Sequence, residues 1–260
     1  MASRDAVRDL ARLHPSLRTG GRLAEDLAQQ ARTPRLATGL EAVDRLLGGG
    51  FPRGRLSEIT GPHSSGRTSL AVALAAAATR AGEVAAWVDA ADALDPASLE
   101  AAGVVGERLL WVRPTRGDDA LRCAERLLLA RGFALVVLDL QGVPTAARPH
   151  DRRGRHHPAQ APGTRPSAGA WLRLARCASA SGTALVLLGR EPALGSFATL
   201  AVDLRATRRR FAERPAWLEG LETRVALARQ RARIADGFVP VCWKVPPVAP
   251  DPPASSEGAA

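Results

Sequence analysis

The stretch GPHSSGRTS, residues 61 to 69, lies between a short apolar run and an Ala-rich segment, and its glycines and hydroxyls follow the spacing of a phosphate-cradling loop, GxxxxGK[ST]. Such a loop works because successive backbone N–H groups converge on a β-phosphate, a lysine reaches the β and γ oxygens, and the following hydroxyl ligates Mg²⁺. Gly61, Gly66 and Thr68 hold the turn and hydroxyl positions here, Ser65 and Ser69 flank them, and Arg67 stands in the lysine's place. Arginine keeps the charge. Its guanidinium is longer, planar and forked, so it cannot fill the same space between phosphates without moving them. His63, inside the loop, reads as polar filler.

The elements around the loop must hold it at the end of a strand and the start of a helix. LSEIT (56–60) reads as the strand before it and residues 68–80 as the helix after it. Ahead of them, TPRLATGLEAVDRLLGGGFPRGR gives an extended segment, a short helix and a glycine turn. The pattern then alternates: strand 83–90, a short helix in LDPASLEAAG, strand 108–114, helix 118–130, strand ALVVLDL (134–140), helix 167–181 and strand TALVLLG (183–189). Near-continuous apolar strands linked by helices imply a parallel sheet covered on both faces, with ligands at the carboxyl ends of its strands. Residues 197–206 and 222–234 instead alternate apolar with polar residues, as one-sided antiparallel strands do. The expected fold class is α/β, a mostly parallel twisted sheet with antiparallel edge strands and helices on both faces.

Three regions fall outside that pattern. Residues 1–34 carry apolar residues at helical spacing (Val7, Leu10, Leu13, then Leu23 and Leu27) and read as an N-terminal helical segment before a core spanning 35–244. Residues 148–166 hold five arginines, three of the five histidines in the chain, four prolines and one acid, the composition of a basic mobile loop. Residues 245–260 read as a disordered Pro-rich tail.

The 260 residues carry 36 Lys plus Arg against 26 Asp plus Glu, a formal charge of +10 that favours a polyanionic partner such as nucleic acid. Lys244 is the one lysine, so arginine richness by itself carries little weight and only its clustering is used. Arg148, Arg152, Arg153, Arg155 and Arg165 form one cluster, and Arg208, Arg209 and Arg210 centre a second that continues to Arg233, with Phe211 and Trp217 beside it. Both are candidate DNA contacts, weak, salt-sensitive and without sequence choice; the second could equally form a protein-binding face, and the first a solvated loop. Cys123, Cys177 and Cys242 match neither a disulfide framework nor a zinc spacing, so no metal site is expected. With no secretion signal or bilayer-length apolar run, the expectation is a soluble, cytoplasmic protein without membrane contact.

The string TGLEAVDRLLGGGFPRGRLSEITGPHSSGRTSL, followed by VDAADALDP (88–96) and VVLDL (136–140), resembles the ATPase core of the bacterial RecA recombinases over roughly residues 35–230. The chain also resembles the diverged ImuA branch, RecA-like or SulA-like proteins of damage-induced mutagenesis operons. What the resemblance implies is a RecA-like P-loop core with specific side chains exchanged. The family's phosphate lysine falls on Arg67, its water-orienting glutamate on Ala91, its adenine-stacking ring near Ser98 and its γ-phosphate-sensing glutamine near Arg190, whereas Asp139 matches the metal-side aspartate. Asp92, one position beyond Ala91, would be aimed elsewhere along the strand end. Losing one charge-stabilising group in phosphoryl transfer costs on the order of 10³-fold. The expectation is therefore no efficient ATP hydrolysis, no required cofactor and at most weak ATP and Mg²⁺ binding at Gly61, Ser65, Gly66, Arg67, Thr68, Ser69 and Asp139.

The implied function is a non-catalytic accessory protein of the SOS DNA-damage response and translesion synthesis, bridging an ImuB-type polymerase paralogue, DNA, a RecA filament or an error-prone replicative-type polymerase. The alternative is a weak DNA-stimulated ATPase acting as a recombination mediator.

Overall fold

The computed structural model describes residues 33–114, 117–140, 166–211, 218–230 and 237–244. The expected N-terminal helices, the arginines of 148–165, Trp217 and the C-terminal tail lie outside the described residues. Ten strands and five α-helices follow one another along the described chain: β1 (Arg35–Leu36), α1 (Glu41–Leu47), β2 (Phe51–Pro52), β3 (Leu56–Thr60), α2 (Arg67–Arg80), β4 (Val84–Asp89), α3 (Pro96–Ala101), β5 (Leu109–Val112), α4 (Gly117–Ala130), β6 (Phe133–Asp139), α5 (Ala168–Ser181), β7 (Ala184–Gly189), β8 (Leu200–Phe211), β9 (Leu218–Gln230) and β10 (Phe238–Lys244).

Eight strands form one sheet in the order β10-β9-β8-β3-β7-β6-β4-β5. From β8 to β5 the neighbours run parallel, and β9 and β10 are added antiparallel. Strands β3, β6 and β7 are buried almost end to end because helices cover both faces. One face packs Leu70 and Leu74 of α2, Val43 and Leu47 of α1 and Leu99 of α3 against Ile59, Val137 and Val186. On the other, Trp171 and Leu174 of α5 and Leu128 of α4 meet Leu56, Val136 and Leu185. The α/β sandwich expected from the alternation is the observed one. It departs from expectation at one edge. β8 alternates in burial like a one-sided strand, yet it pairs parallel with β3 as well as antiparallel with β9. β9 starts at Leu218, four residues earlier than the alternation suggests, and β10 carries no clear strand signal because Pro240 sits in its middle.

That edge holds the phosphate loop. The Thr223 hydroxyl of β9 donates to the Ser65 carbonyl at 3.0 Å and accepts from the Trp243 indole N–H of β10 at 3.1 Å. Trp243 lies so close to Gly66 that a Cβ there would meet its Nε1 at 2.5 Å and the Thr223 oxygen at 2.8 Å, so only glycine fits. Gly66 also adopts φ +87°, which glycine reaches without strain. A second brace comes from β3: Glu58, 1% exposed, accepts the backbone N–H groups of Ala193 at 2.6 Å and Leu194 at 3.3 Å, fixing the segment that follows β7.

Burial pushes the Glu58 carboxyl up from its ordinary range, and the two N–H bonds pull it only part of the way back. A raised acid costs folding stability as pH climbs through its folded value, because the folded state must then hold a buried charge. Glu58→Gln keeps an acceptor for both N–H groups without that charge. It should gain about 1 kcal/mol, or a few degrees in Tm, at pH 7.5, and the gap should close near pH 4, as thermal melts across pH will measure. Thr223→Val should lose about 1–2 kcal/mol in chemical denaturation by stranding the Ser65 carbonyl and the Trp243 N–H, whereas Thr223→Ser should recover most of it.

Candidate functional site: an altered phosphate loop

Residues 61–66 link the carboxyl end of β3 to the amino end of α2, where helix N–H groups and dipole favour an anion. The turn is shaped by left-handed residues at Gly61 (φ +155°), Ser64 (φ +56°) and Gly66. A side chain at Gly61 would strike the Leu204 carbonyl at 2.4 Å and the Ser65 hydroxyl at 2.5 Å. The backbone is thus built as a phosphate cradle, with Thr68 exposed at its rim and Ser69 half-buried beside it.

The side chain at the centre is not arranged as a lysine would be. Arg67 is 4% exposed and donates through Nη1 to the carbonyl of Gly61, the first residue of the same loop. Burial lowers its affinity for its proton, Asp139 opposes that effect and Arg190 adds to it, so all three charges share one neighbourhood. Asp139 ends β6, is buried, and lies in register with Asp89 of β4; Arg190, exposed, is the first residue after β7. The loop residues and Asp139 therefore assemble into one site, and the Glu58 brace fixes the backbone just beyond Arg190.

Two of the remaining positions, Asp92 and Ser98, are engaged by neighbours. Ala91 stands in the exposed turn after β4. Asp92 has φ +51° and receives Arg113 at 3.3 Å, which directs its carboxylate toward β5, on the side of β4 away from β6. Arg113 in turn lies 5.0 Å over Trp111, and the Trp111 indole N–H donates to Asp89 at 3.3 Å. Ser98 is used locally: its N–H and hydroxyl both donate to Asp95, capping α3 and holding the Asp95 carboxyl below its ordinary range. The cradle's backbone fits a phosphate. Among its side chains, the Arg67 guanidinium is turned inward on Gly61, and position 91, an alanine, carries no carboxylate.

Of the candidate DNA contacts, Arg208, Arg209 and Arg210 lie exposed on β8, where it runs past the loop-bearing end of β3. They do not share one face: a bulge after Ala206 sets Arg208 opposite Glu222 and Arg210 opposite Gly220, with Arg209, opposite Leu221, of the other parity. Arg148, Arg152, Arg153, Arg155 and Arg165 lie outside the described residues. Sequence reasoning missed Thr223 and Trp243, which meet Ser65 and Gly66 across 158 and 177 residues, and Glu58, which bonds the segment after β7 across 135 and 136; none leaves a local pattern. Among the described residues no helix is long and apolar enough to cross a membrane, and no cluster of His, Cys, Asp and Glu could hold a metal ion.

Comparison with known proteins agrees with this architecture. Protein RecA of Synechocystis sp. is 41% identical over 130 residues, covering 50% of this chain and 37% of that protein. The RecA proteins of Rubrobacter xylanophilus and Acidothermus cellulolyticus are 44% and 45% identical over 124 and 116 residues, covering 47% and 44% of this chain and 34% of each relative. Most of each relative's length thus lies beyond the match. A crystal structure of the RadB recombinase superposes with a TM-score of 0.57 at 21% identity, covering 79% of this chain and 94% of that one, a likeness of fold alone. The RecA N-terminal domain matches residues 20–154, just over half of the chain. The chain belongs to the family defined by the RecA N-terminal domain.

Proposed function

We propose that this protein is a non-catalytic, RecA-like accessory factor of DNA-damage-induced translesion synthesis, of the ImuA type. It would meet an ImuB-type polymerase paralogue, DNA and, through its recombinase-like surfaces, a RecA filament or an error-prone replicative-type polymerase. The observation that carries the non-catalytic part is the Arg67 guanidinium bonded to Gly61 inside the loop. To admit a triphosphate, this side chain must leave a buried position, give up that bond and find a new one on a larger, forked donor set.

The accompanying exchanges point the same way. A base that orients water requires a carboxylate near Ala91, and Asp92 is turned to Arg113 instead. Arg190 brings a second cation near Arg67, so an uncharged γ-phosphate sensor has given way to a group that repels the loop's own cation. Such a site would neither turn over nor report its nucleotide state, and a recombinase fold without that cycle is suited to a scaffold. The opposing reading, a weak DNA-stimulated ATPase that mediates recombination, rests on the retained Asp139 and Thr68.

Turnover separates the two. With single-stranded DNA and Mg²⁺, the purified protein should hydrolyse ATP at least about 10³-fold more slowly than an active recombinase; comparable turnover that Arg67→Ala abolishes would establish the enzyme. Arg67→Lys should bind a non-hydrolysable triphosphate several-fold more tightly than wild type by calorimetry, without gaining turnover, because Ala91 is unchanged. For the accessory role, tagged protein should retain an ImuB-type polymerase paralogue in a pull-down at moderate salt, and no retention would remove the mutasome assignment.

A further inference from the structure

The ribbon formed by β8 and β9 ends in an uncovered apolar pair. Phe211, the last residue of β8, stands directly opposite Leu218, the first of β9, and the two are 56% and 42% exposed. β10 ends at Lys244, opposite Gly220, so the row that holds Leu218 lies just past its end. One register governs the whole β9–β10 ladder, from Phe238 with Ala226 to Lys244 with Gly220. The Leu227 N–H bond to the Gly237 carbonyl, one step before that ladder, marks the odd-numbered residues of β10 as those bonded to β9. Even-numbered residues therefore turn their backbone N–H positions outward, which is why the strand tolerates Pro240.

We propose that residues 245–253, VPPVAPDPP, are a strap over that pair, and that the tip of the β8–β9 ribbon is an apolar contact spot this chain covers with its own sequence. These residues lie beyond the described ones, so register, chain length and charge place the strap. The proposal does not depend on the accessory reading.

At the register of β10, Val245 falls opposite Glu219 and Pro246 opposite Leu218, which would extend the apolar row to Phe211–Leu218–Pro246. Pro246 has the parity of Pro240, so the N–H it lacks is an outward one. Pro247 falls where a bond to β9 is needed and has no N–H to give, so the ladder must end there. The chain continues as Val248, Ala249, Pro250 and Asp251, a composition suited to polyproline II at about 3.1 Å per residue. Two strand spacings of about 4.8 Å separate β10 from β8, so roughly three residues cross the ribbon. Such a crossing would lay Val248 over Leu218 and Phe211 and bring Asp251 to the arginines of β8. Aromatic-lined surfaces are where proline-rich segments dock. Charge favours the same occupant: residues 245–257 carry Asp251 and Glu257 and no cation, whereas Arg208 and Arg209 are exposed at the ribbon's end and Arg210 is engaged by Glu222. A strand from another protein is a poorer occupant, because Pro240 removes an outward N–H from β10.

Photo-cross-linking in the full chain tests the strap. Phe211→p-benzoylphenylalanine keeps an aromatic ring at the tip, and after irradiation peptide mapping should find it joined chiefly to residues 245–251 of the same chain. Val248→Ser/Asp251→Arg leaves the tether intact but removes the apolar contact and reverses the charge, so it should lower that cross-link about threefold. The same two substitutions in the otherwise unaltered chain should raise binding of the apolar dye bis-ANS at least about twofold, because the tip is uncovered. Adding Phe211→Ser/Leu218→Ser should cancel the rise. All the substituted side chains at the tip are exposed, and matching thermal melts exclude misfolding. An unchanged cross-link in Val248→Ser/Asp251→Arg would mean that the segment is only tethered nearby, and the strap would be wrong. Unchanged dye binding, or a rise that Phe211→Ser/Leu218→Ser does not cancel, would overturn it equally. Cross-links that join two copies of the chain in place of residues 245–251 would make the tip an interface between copies and remove the strap.

Discussion

The phosphate loop of this protein is held from outside by one hydroxyl. Thr223 takes the Trp243 indole N–H and gives its own proton to the Ser65 carbonyl, so three separate parts of the chain meet at a single oxygen. The loop's backbone angles at Gly61 and Gly66 are costly for any other residue, and a cradle whose only support were its ligand would have little reason to keep them once the ligand mattered less. Here the support is structural. The space left beside Trp243 and the Leu204 carbonyl admits glycine alone, whatever the loop does or does not bind. A phosphate-loop outline can therefore persist in the sequence as a packing requirement while the side chains that act on phosphate change.

Those changes are coherent as electrostatics. An inward-turned arginine fills the cradle with a cation carried by the loop itself, and its desolvation is offset in part by Asp139, the acid that remains. Over the carboxyl ends of β4 and β6 the buried Asp89 and Asp139 stand side by side, while Asp92 is drawn away to Arg113. A guanidinium at the loop's centre presents a planar, forked donor set where a lysine would present a compact charge.

The parallel half of the fold was legible because its signals are local. ALVVLDL and TALVLLG are short, nearly unbroken apolar runs, LSEIT leads straight into the glycine of the loop, each has a helical segment nearby of fitting length, and all three are buried central strands. The loop residues were legible because their spacing is itself the geometry. What escaped was the long-range part. Glu58 looks like a polar interruption in a strand, yet it is buried because two N–H groups 135 and 136 residues away need an acceptor. β10 carries no local strand signal, because Pro240 is unsuited to a central strand, and its place at the edge of the sheet removes the objection. Arg208, Arg209 and Arg210 read as one cluster in sequence; strand alternation divides them between two faces, and the bulge after Ala206 decides which face each takes.

That division separates two kinds of constraint within one sheet. The loop-bearing end of the parallel sheet holds its side chains in fixed positions, Arg67 on Gly61 and Asp92 on Arg113. The antiparallel extension asks less: a flat ladder, cations on one parity and apolar residues on the other, with any one arginine replaceable by its neighbours. Because Thr223 bonds both the loop and β10, a change that disturbs the loop's backbone would also loosen the ladder. The packing of β9 and β10 against the loop by itself demands glycine at position 66, independently of any phosphate the loop could hold.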